Sequence, residues 1–191
     1  MDIRHTPNQM NIRNTLLSLL TLTTTVTAPA LAGYQVDGVH LMEGSDFGSH
    51  EVVATDMINS LTEMGIPVID GSKNEMNQCI PQEDRQTLGF YVPSHNVMVI
   101  CTKSVPVWLQ METLTHESVH VIQDARVGID NSSLGEASDE VLYKLVTNLD
   151  ENKVTNIANL YDESDWNVEV EAFYYETQPQ VVANELRTWA F

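Results

Sequence analysis

The chain has 191 residues, of which 42% are hydrophobic, and a formal net charge of −18 at pH 7. This length and composition suffice for one domain with a real core, and they give no sign of a second core of comparable size. The strong negative charge argues against nucleic acid and anionic membrane surfaces as partners, because both repel an acidic protein.

The N-terminal segment has the features of a signal peptide. Two arginines precede a short apolar run at residues 16–22, and residues 30–32, Ala-Leu-Ala, place small side chains where a signal peptidase inspects the chain. The apolar run is short and is followed by a threonine-rich stretch, so we expect no stable membrane anchor after cleavage. The sequence therefore predicts a signal peptide at residues 1–32, a single mature domain at residues 33–191, and a secreted or periplasmic location.

The first half of the predicted mature chain holds one helix and three strands. Apolar residues recur at three- and four-residue spacing over residues 49–64, with Gly65 just beyond, which predicts a helix. Residues 66–70 are a short apolar run, and residues 88–92 and 97–102 are β-prone runs separated by a Pro-Ser-His-Asn turn. We expect a short antiparallel sheet in which the last strand, apolar throughout, lies centrally.

The two cysteines of the chain are Cys79 and Cys101. A secreted or periplasmic route would let them oxidise, so we predict one disulfide bond between them. Metal ligation by this pair is the weaker interpretation, because the two residues lack the CxxC spacing that is typical of structural zinc sites.

Residues 113–124 carry the HExxH pattern, with His116, Glu117 and His120 at its fixed positions, on a helix predicted from residue 107 or 110 to residue 126. Side chains four residues apart on a helix project from one face. Both imidazoles can therefore ligate one metal ion, with Glu117 beside them within reach of a water molecule. The flanking residues are uncharged or apolar, as expected for a buried metal-site helix. An amphipathic core helix with two hydrogen-bonded histidines is the alternative.

Gln123 shares the metal-facing side of this helix, three residues after His120. It is a candidate to brace a histidine, or else to contact another element of the core, and Asp124 is open to the same two interpretations. Arg126 stands where a third histidine would be, so the extended metzincin pattern is absent.

A catalytic zinc site usually has three protein ligands and one water, so the two histidines require a partner from elsewhere in the chain. Two helical runs, residues 136–149 and 152–160, show no carboxylate in an apolar setting. Residues 166–176 predict a further helix, stopped by Pro179, in which acidic residues stand among aromatic and aliphatic ones. Buried carboxylates are costly unless a cation meets them, so this helix is expected to supply the third ligand.

The motif HESVH, followed by Glu-Val-Glu-Ala-Phe on a second helix, resembles the gluzincin clan of zinc metallopeptidases, in which a downstream glutamate completes the metal site. Over residues 88–176 the chain is most similar to minimal peptidases of the ImmA/IrrE kind and to secreted HExxH proteins of bacteria and phages. The resemblance implies a small α+β, zincin-like domain, in which a short sheet packs on the HExxH helix and a C-terminal helical part follows.

The resemblance also implies Zn²⁺ as the cofactor, His116 and His120 as metal ligands, Glu117 as general base and Glu171 as the third ligand. Glu169 is the rival for that last role. The two glutamates lie about 200° apart on a helix, so they cannot both face the metal.

The expected function is hydrolysis of a peptide or protein substrate by a zinc metallopeptidase, through a metal-activated water. The developing oxyanion needs a further donor, and Tyr174 or Tyr175, on the same predicted helix as Glu171, can provide it. We assign this role to Tyr175, with an aromatic core residue as the alternative. The alternative function is that of a zinc-binding, non-proteolytic sensor or interaction domain.

Overall fold

The structure is a computed structural model that describes residues 38–81, 86–129 and 133–190. The described residues belong to one compact unit, residues 33–191. The predicted signal peptide, residues 1–32, lies outside them. Among the described helices, none combines the length and the apolar character needed to cross a membrane.

Within these ranges the chain forms three strands and six α-helices, which confirms the predicted α+β class. The strands are β1 (Val68–Asp70), β2 (Gly89–Val92) and β3 (Val97–Ile100). The helices are α1 (Glu51–Glu63), α2 (Val107–Val127), α3 (Asp139–Val146), α4 (Glu151–Leu160), α5 (Trp166–Tyr175) and α6 (Pro179–Trp189). Short 3-10 turns occur at Gly44–His50, Asn77–Cys79, Pro93–His95 and Glu163–Asp165.

The sheet has the strand order β1-β3-β2, and all four residues of the central strand β3 are buried. β2 and β3 form the predicted antiparallel hairpin, with Phe90 opposite Val99. The expectation of a wholly antiparallel sheet is wrong, because β1 pairs with β3 in parallel. β1 ends at Asp70 and β2 begins at Gly89, and both residues pair with Ile100 of β3. β1 therefore ends at the same edge of the sheet at which β2 begins, and the two strands run in opposite directions on either side of β3.

The sheet and most of the helices pack around α2, which contacts β2, β3, α1, α5 and α6. Gly89 allows β2 to approach this helix closely. A Cβ atom at that position would lie only 2.5 Å from Cγ2 of Thr113 and 2.8 Å from the carbonyl oxygen of Val99. The small residue therefore brings an edge strand alongside the HExxH segment.

The last helix, α6, is not predicted by the sequence pattern. Pro179, expected only as the stop of α5, also occupies the first turn of α6. Proline suits this position, because its missing N–H would have no acceptor within the helix. Val182, Ala183 and Leu186 of α6 are buried in the core, and the helix packs against α1 and α2.

The predicted disulfide bond between Cys79 and Cys101 is present, and both residues are buried. Cys79 ends the 3-10 turn Asn77–Cys79, and Cys101 directly follows β3. The bond therefore ties the connection between β1 and β2 to the central strand of the sheet.

Replacing both cysteines with serine is expected to lower the free energy of unfolding by about 3 kcal/mol. The bond joins residues 22 positions apart, and its loss releases a loop of that size in the unfolded chain. Chemical denaturation of the oxidised wild type and of the double variant measures the difference, with reduced wild type as the control. Equal stabilities of oxidised wild type and variant would contradict a structural role for the bond.

Candidate metal centre

His116, Glu117 and His120 lie in the middle of α2 and are buried where this helix packs against α5. The two histidine rings are one turn apart, with centroids separated by 5.0 Å. Glu169 of α5 meets both of them. Its Oε2 is 3.3 Å from Nε2 of His116, and its Oε1 is 3.3 Å from Nε2 of His120.

These two histidines and Glu169 can hold a metal ion, because their ligand atoms all lie within 4.8 Å of one another. Two imidazole nitrogens and one carboxylate are a common donor set for a metal with an open coordination position. Glu169 is buried, yet its Oε2 accepts no hydrogen bond from the described residues. Such an oxygen is costly to bury, and a bound cation would satisfy it. The residues present therefore fit a metal ion.

The two histidines and Glu169 shift one another's pKa values. Burial lowers the pKa of His116, but the adjacent carboxylates of Glu169 and Glu176 outweigh this effect and raise that pKa to about 10. Burial also lowers the pKa of His120, but the adjacent carboxylate of Glu169 outweighs this effect, so that the pKa is raised. Burial raises the pKa of Glu169, whereas both histidines lower it more strongly, to about 2. A metal ion needs neutral imidazoles, so its binding displaces protons from this cluster.

Gln123 orients His120 from one turn further along α2. Its Oε1 lies 2.8 Å from Nδ1 of His120, while its Nε2 donates to the carbonyl oxygen of Val168 and to Oε2 of Glu171 at 2.9 and 3.0 Å. Two acceptors on the nitrogen side require that the amide oxygen face the histidine. Nδ1 of His120 therefore carries the proton, and Nε2 is left for a metal. Gln123 therefore makes both contacts that the sequence left open, one to a histidine and one to another element of the core.

Glu176 provides the corresponding support for His116, with Oε2 3.1 Å from Nδ1 of the ring. Its Oε1 lies 2.8 Å from Nζ of Lys153 on α4, and that amine also donates to the carbonyl oxygen of Phe173 at 2.8 Å. A carboxylate only accepts hydrogen bonds, so it keeps the proton on Nδ1 and leaves Nε2 towards Glu169. The His116–Glu176 pair is not predicted by the sequence pattern. Its one available signal was the seven-residue spacing from Glu169 to Glu176, two turns along one helix face.

Glu171, the expected third ligand, does not lie beside the histidines. Arg126 donates to both of its carboxylate oxygens, at 2.7 and 2.6 Å. The prediction is therefore corrected, and the carboxylate that meets the two histidines is that of the rival, Glu169. Both glutamates have apolar neighbours in sequence, and only the packing of α5 on α2 decides which one meets Arg126 and which one meets the histidines.

The cluster opens into a pocket of about 520 Å³. Glu117 lines this pocket together with both histidines and Glu169, and its Oε2 accepts a hydrogen bond of 2.9 Å from the backbone N–H of Tyr91 on β2. The edge strand β2 thus holds the carboxylate of Glu117, the general-base candidate, beside the candidate metal ligands. The other walls come from the β2–β3 hairpin, from the segment before α3, and from the chain around the start of α5.

The tyrosine expected in this pocket, Tyr175, is not among the described residues that line it. Its side chain packs against the hydrophobic core, and its ring contacts that of Tyr174 at 4.9 Å. Tyr174 and Tyr175 are expected near the metal only if Glu171 is a ligand, so the correction of the third ligand removes them from the site as well.

Tyr161 and Tyr91 line the pocket instead. The hydroxyl of Tyr91 donates to Asp124 at 2.6 Å, which ties the edge strand to α2. Tyr161 follows α4, and burial together with the nearby charge of Glu169 raises the pKa of its hydroxyl, which therefore stays protonated as a hydrogen-bond donor. No spacing in the sequence links Tyr161 to the HExxH motif, so only the folded chain identifies it.

No protein-family model, no curated protein and no solved structure matches this chain. The resemblance to gluzincins therefore rests on the HExxH motif and the downstream glutamate helix. The metal centre itself rests on the geometry of His116, His120 and Glu169.

Replacing Glu169 with glutamine is expected to abolish stoichiometric metal binding, because it removes the one charged ligand that contacts both histidines. The matched change of Glu171 to glutamine should keep a full complement of metal. It should weaken the affinity about 10- to 100-fold, because Glu171 supports His120 through Gln123.

Elemental analysis after dialysis against Zn²⁺, followed by competition with a chromophoric chelator, measures the metal content and affinity of both variants. Thermal unfolding of the metal-free proteins separates lost ligation from lost folding. Loss of metal from the Glu171 variant, with retention by the Glu169 variant, would reverse the ligand assignment.

Proposed function

We propose that this chain is a zinc-dependent metallopeptidase that acts outside the cytoplasm. The observation that carries the proposal is the meeting of His116, His120 and Glu169 beside Glu117 in one pocket. A secreted or periplasmic location rests on the predicted signal peptide at residues 1–32, and the disulfide bond is compatible with it.

The donor set supports zinc as the metal. Magnesium and calcium prefer all-oxygen ligands, whereas two imidazoles and a carboxylate suit zinc. Three protein ligands leave a coordination position for water, as in catalytic rather than structural zinc sites. When bound, zinc would supply Lewis-acid chemistry that lowers the pKa of a water molecule and polarises a carbonyl group.

Glu117 is the proposed general base. It accepts a proton from the attacking water as the water oxygen forms a bond to the peptide carbonyl carbon, and it then donates that proton to the leaving amine as the C–N bond breaks. The N–H of Tyr91 holds the carboxylate in place before substrate arrives, so little orientational freedom is lost in the reaction.

The position of β2 supports a peptide as the substrate. β2 is an edge strand of the sheet, and its residues Gly89, Phe90 and Tyr91 line the pocket. The N–H of Tyr91 points away from β3, towards Glu117, so this edge of the strand faces the pocket. An extended peptide can add to such an edge through main-chain hydrogen bonds, which would place a peptide bond beside the metal ligands.

Tyr161 is the proposed donor to the oxyanion that develops on the substrate carbonyl. Tyr161 lines the same pocket as Glu117 and Glu169, and the raised pKa of its hydroxyl keeps the proton available. The ring contacts Phe173 at 6.1 Å, and Phe173 in turn contacts His116 at 4.9 Å. Tyr161 is thus packed against Phe173, which itself contacts the proposed ligand His116. This packing pre-organises the hydroxyl of Tyr161 for the transition state.

Replacing Glu117 with glutamine is expected to preserve zinc stoichiometry and to lower kcat by about 10²- to 10⁴-fold, because the base is lost while the ligands stay. Zinc content and hydrolysis of a quenched-fluorescent peptide library measure both effects, with the exposed Glu63→Gln on α1 as the matched control. Unchanged hydrolysis in the Glu117 variant would contradict the role of Glu117 as general base. No hydrolysis by zinc-loaded wild type would favour the non-proteolytic alternative.

Replacing Tyr161 with phenylalanine is expected to lower kcat by about 10²-fold or more with little change in KM, because the donor acts mainly in the transition state. Tyr175→Phe removes a hydroxyl from the same protein outside the pocket and should leave kcat near the wild-type value. Steady-state kinetics of both zinc-loaded variants on one peptide gives the comparison. The opposite pattern would restore Tyr175 as the donor.

A further inference from the structure

Two carboxylates, Glu136 and Asp165, line the same pocket as the metal ligands but are exposed, whereas the ligands are buried. We call them the outer pair. Glu136 lies in the segment before α3, and Asp165 is the residue before α5. No lysine or arginine is among the described residues that line the pocket.

The charges of the outer pair are not compensated by their hydrogen-bond partners. Nδ2 of Asn167 donates to Oε2 of Glu136 at 2.7 Å, and Oγ of Ser164 donates to Oδ1 of Asp165 at 3.2 Å. Both donors are neutral side chains, so these bonds orient the carboxylates and leave the negative charges in place.

The two basic residues that contact the supports of the histidines already form ion pairs with other carboxylates. Arg126 is paired with Glu171, and Lys153 is paired with Glu176. Within the pocket, a divalent metal would be balanced by Glu169 and Glu117. The outer pair then remains as a surplus of two negative charges in a concave site, where the potential is focused.

Helix capping is the ordinary explanation for an aspartate in the position of Asp165. A carboxylate at an N-cap normally accepts a backbone N–H from the first turn of its helix. Asp165 is the N-cap of α5 but makes no side-chain cap hydrogen bond. Its side chain instead lines the pocket, so capping does not account for its orientation.

The pocket is also lined by four apolar residues, which are Phe90, Pro93, Leu134 and Val168. A long side chain with an apolar stem and a cationic head matches a lining that combines apolar residues with carboxylates. Lysine and arginine have that composition. The buried cluster of His116, His120 and Glu169, which could hold a metal ion, lines the same pocket and marks it as a ligand site.

We propose that this pocket selects peptides with a lysine or arginine next to the scissile bond, and that Glu136 and Asp165 determine this specificity. The inference rests on the proposed peptidase function and adds the substrate class to it. Each outer carboxylate is exposed to solvent, so the preference is moderate and depends on salt.

The test uses three quenched-fluorescent peptides that differ only in the residues flanking the scissile bond, which are lysine, glutamine or glutamate. With zinc-loaded wild type at low ionic strength, kcat/KM for the lysine peptide should exceed that for the glutamine peptide by about twofold to thirtyfold, and the glutamate peptide should be slowest. The preference should shrink in 1 M NaCl, where the screening length falls to about 3 Å.

The double variant Glu136→Gln, Asp165→Asn should bring the lysine-to-glutamine ratio of kcat/KM close to one, because both carboxylates that favour the lysine peptide are removed. The matched control is Glu63→Gln, Asp139→Asn, which removes the same charge from exposed positions on α1 and α3. The control should keep the wild-type ratio, so a general effect of net charge is separated from an effect of the pocket.

Binding gives a readout that does not depend on turnover. Dye-labelled versions of the three peptides are titrated with zinc-loaded Glu117→Gln protein, alone and combined with the outer-pair changes, and fluorescence anisotropy gives Kd. Hydrolysis without a charge preference, or equal Kd values for the lysine and glutamate peptides, overturns the specificity and leaves the peptidase function standing. Tighter binding of the lysine peptide without hydrolysis by wild type supports the pocket's selectivity and overturns the peptidase function.

Discussion

Burial of two carboxylates on α5 against α2 is the constraint on which the rest of this site depends. Glu169 and Glu171 point to different sides of one helix, and both are buried. A buried negative charge is tolerated only when a cation or several donors meet it. Arg126 meets Glu171, whereas Glu169 meets two imidazoles whose Nε2 atoms are the natural ligands of a metal. The packing of the two helices thus creates a cluster that could hold a metal ion.

Support for the two histidines comes from different parts of the fold. Gln123, fixed by Glu171 and by a carbonyl of α5, orients His120, while Glu176, paired with Lys153 from α4, orients His116. Each support places the imidazole proton on Nδ1 and so leaves Nε2 for ligation. Glu171, although not a ligand, therefore contributes to the site through the amide that it holds.

Part of the negative charge of the chain lies around one pocket of the folded protein. Most of the described carboxylates are exposed. Four acidic residues are among the described residues that line the pocket, which are Glu117, Glu136, Glu169 and Asp165. The arginine and lysine that belong to the site's support pair with other glutamates. Part of the negative charge, from which we expect nucleic acid not to be a partner, thus lines the pocket that we propose to bind a cationic side chain.

Local sequence determined the α+β class, the helix of the HExxH motif, the hairpin and the disulfide, because hydrophobic periodicity, turn residues and cysteine count act over short distances. Only the tertiary structure decided which glutamate meets the histidines, because Glu169 and Glu171 share one apolar setting in sequence and differ in their partners on α2. The same holds for Tyr161 and Glu176. Their roles depend on how α4 and α5 pack beside α2, and no local pattern encodes that arrangement.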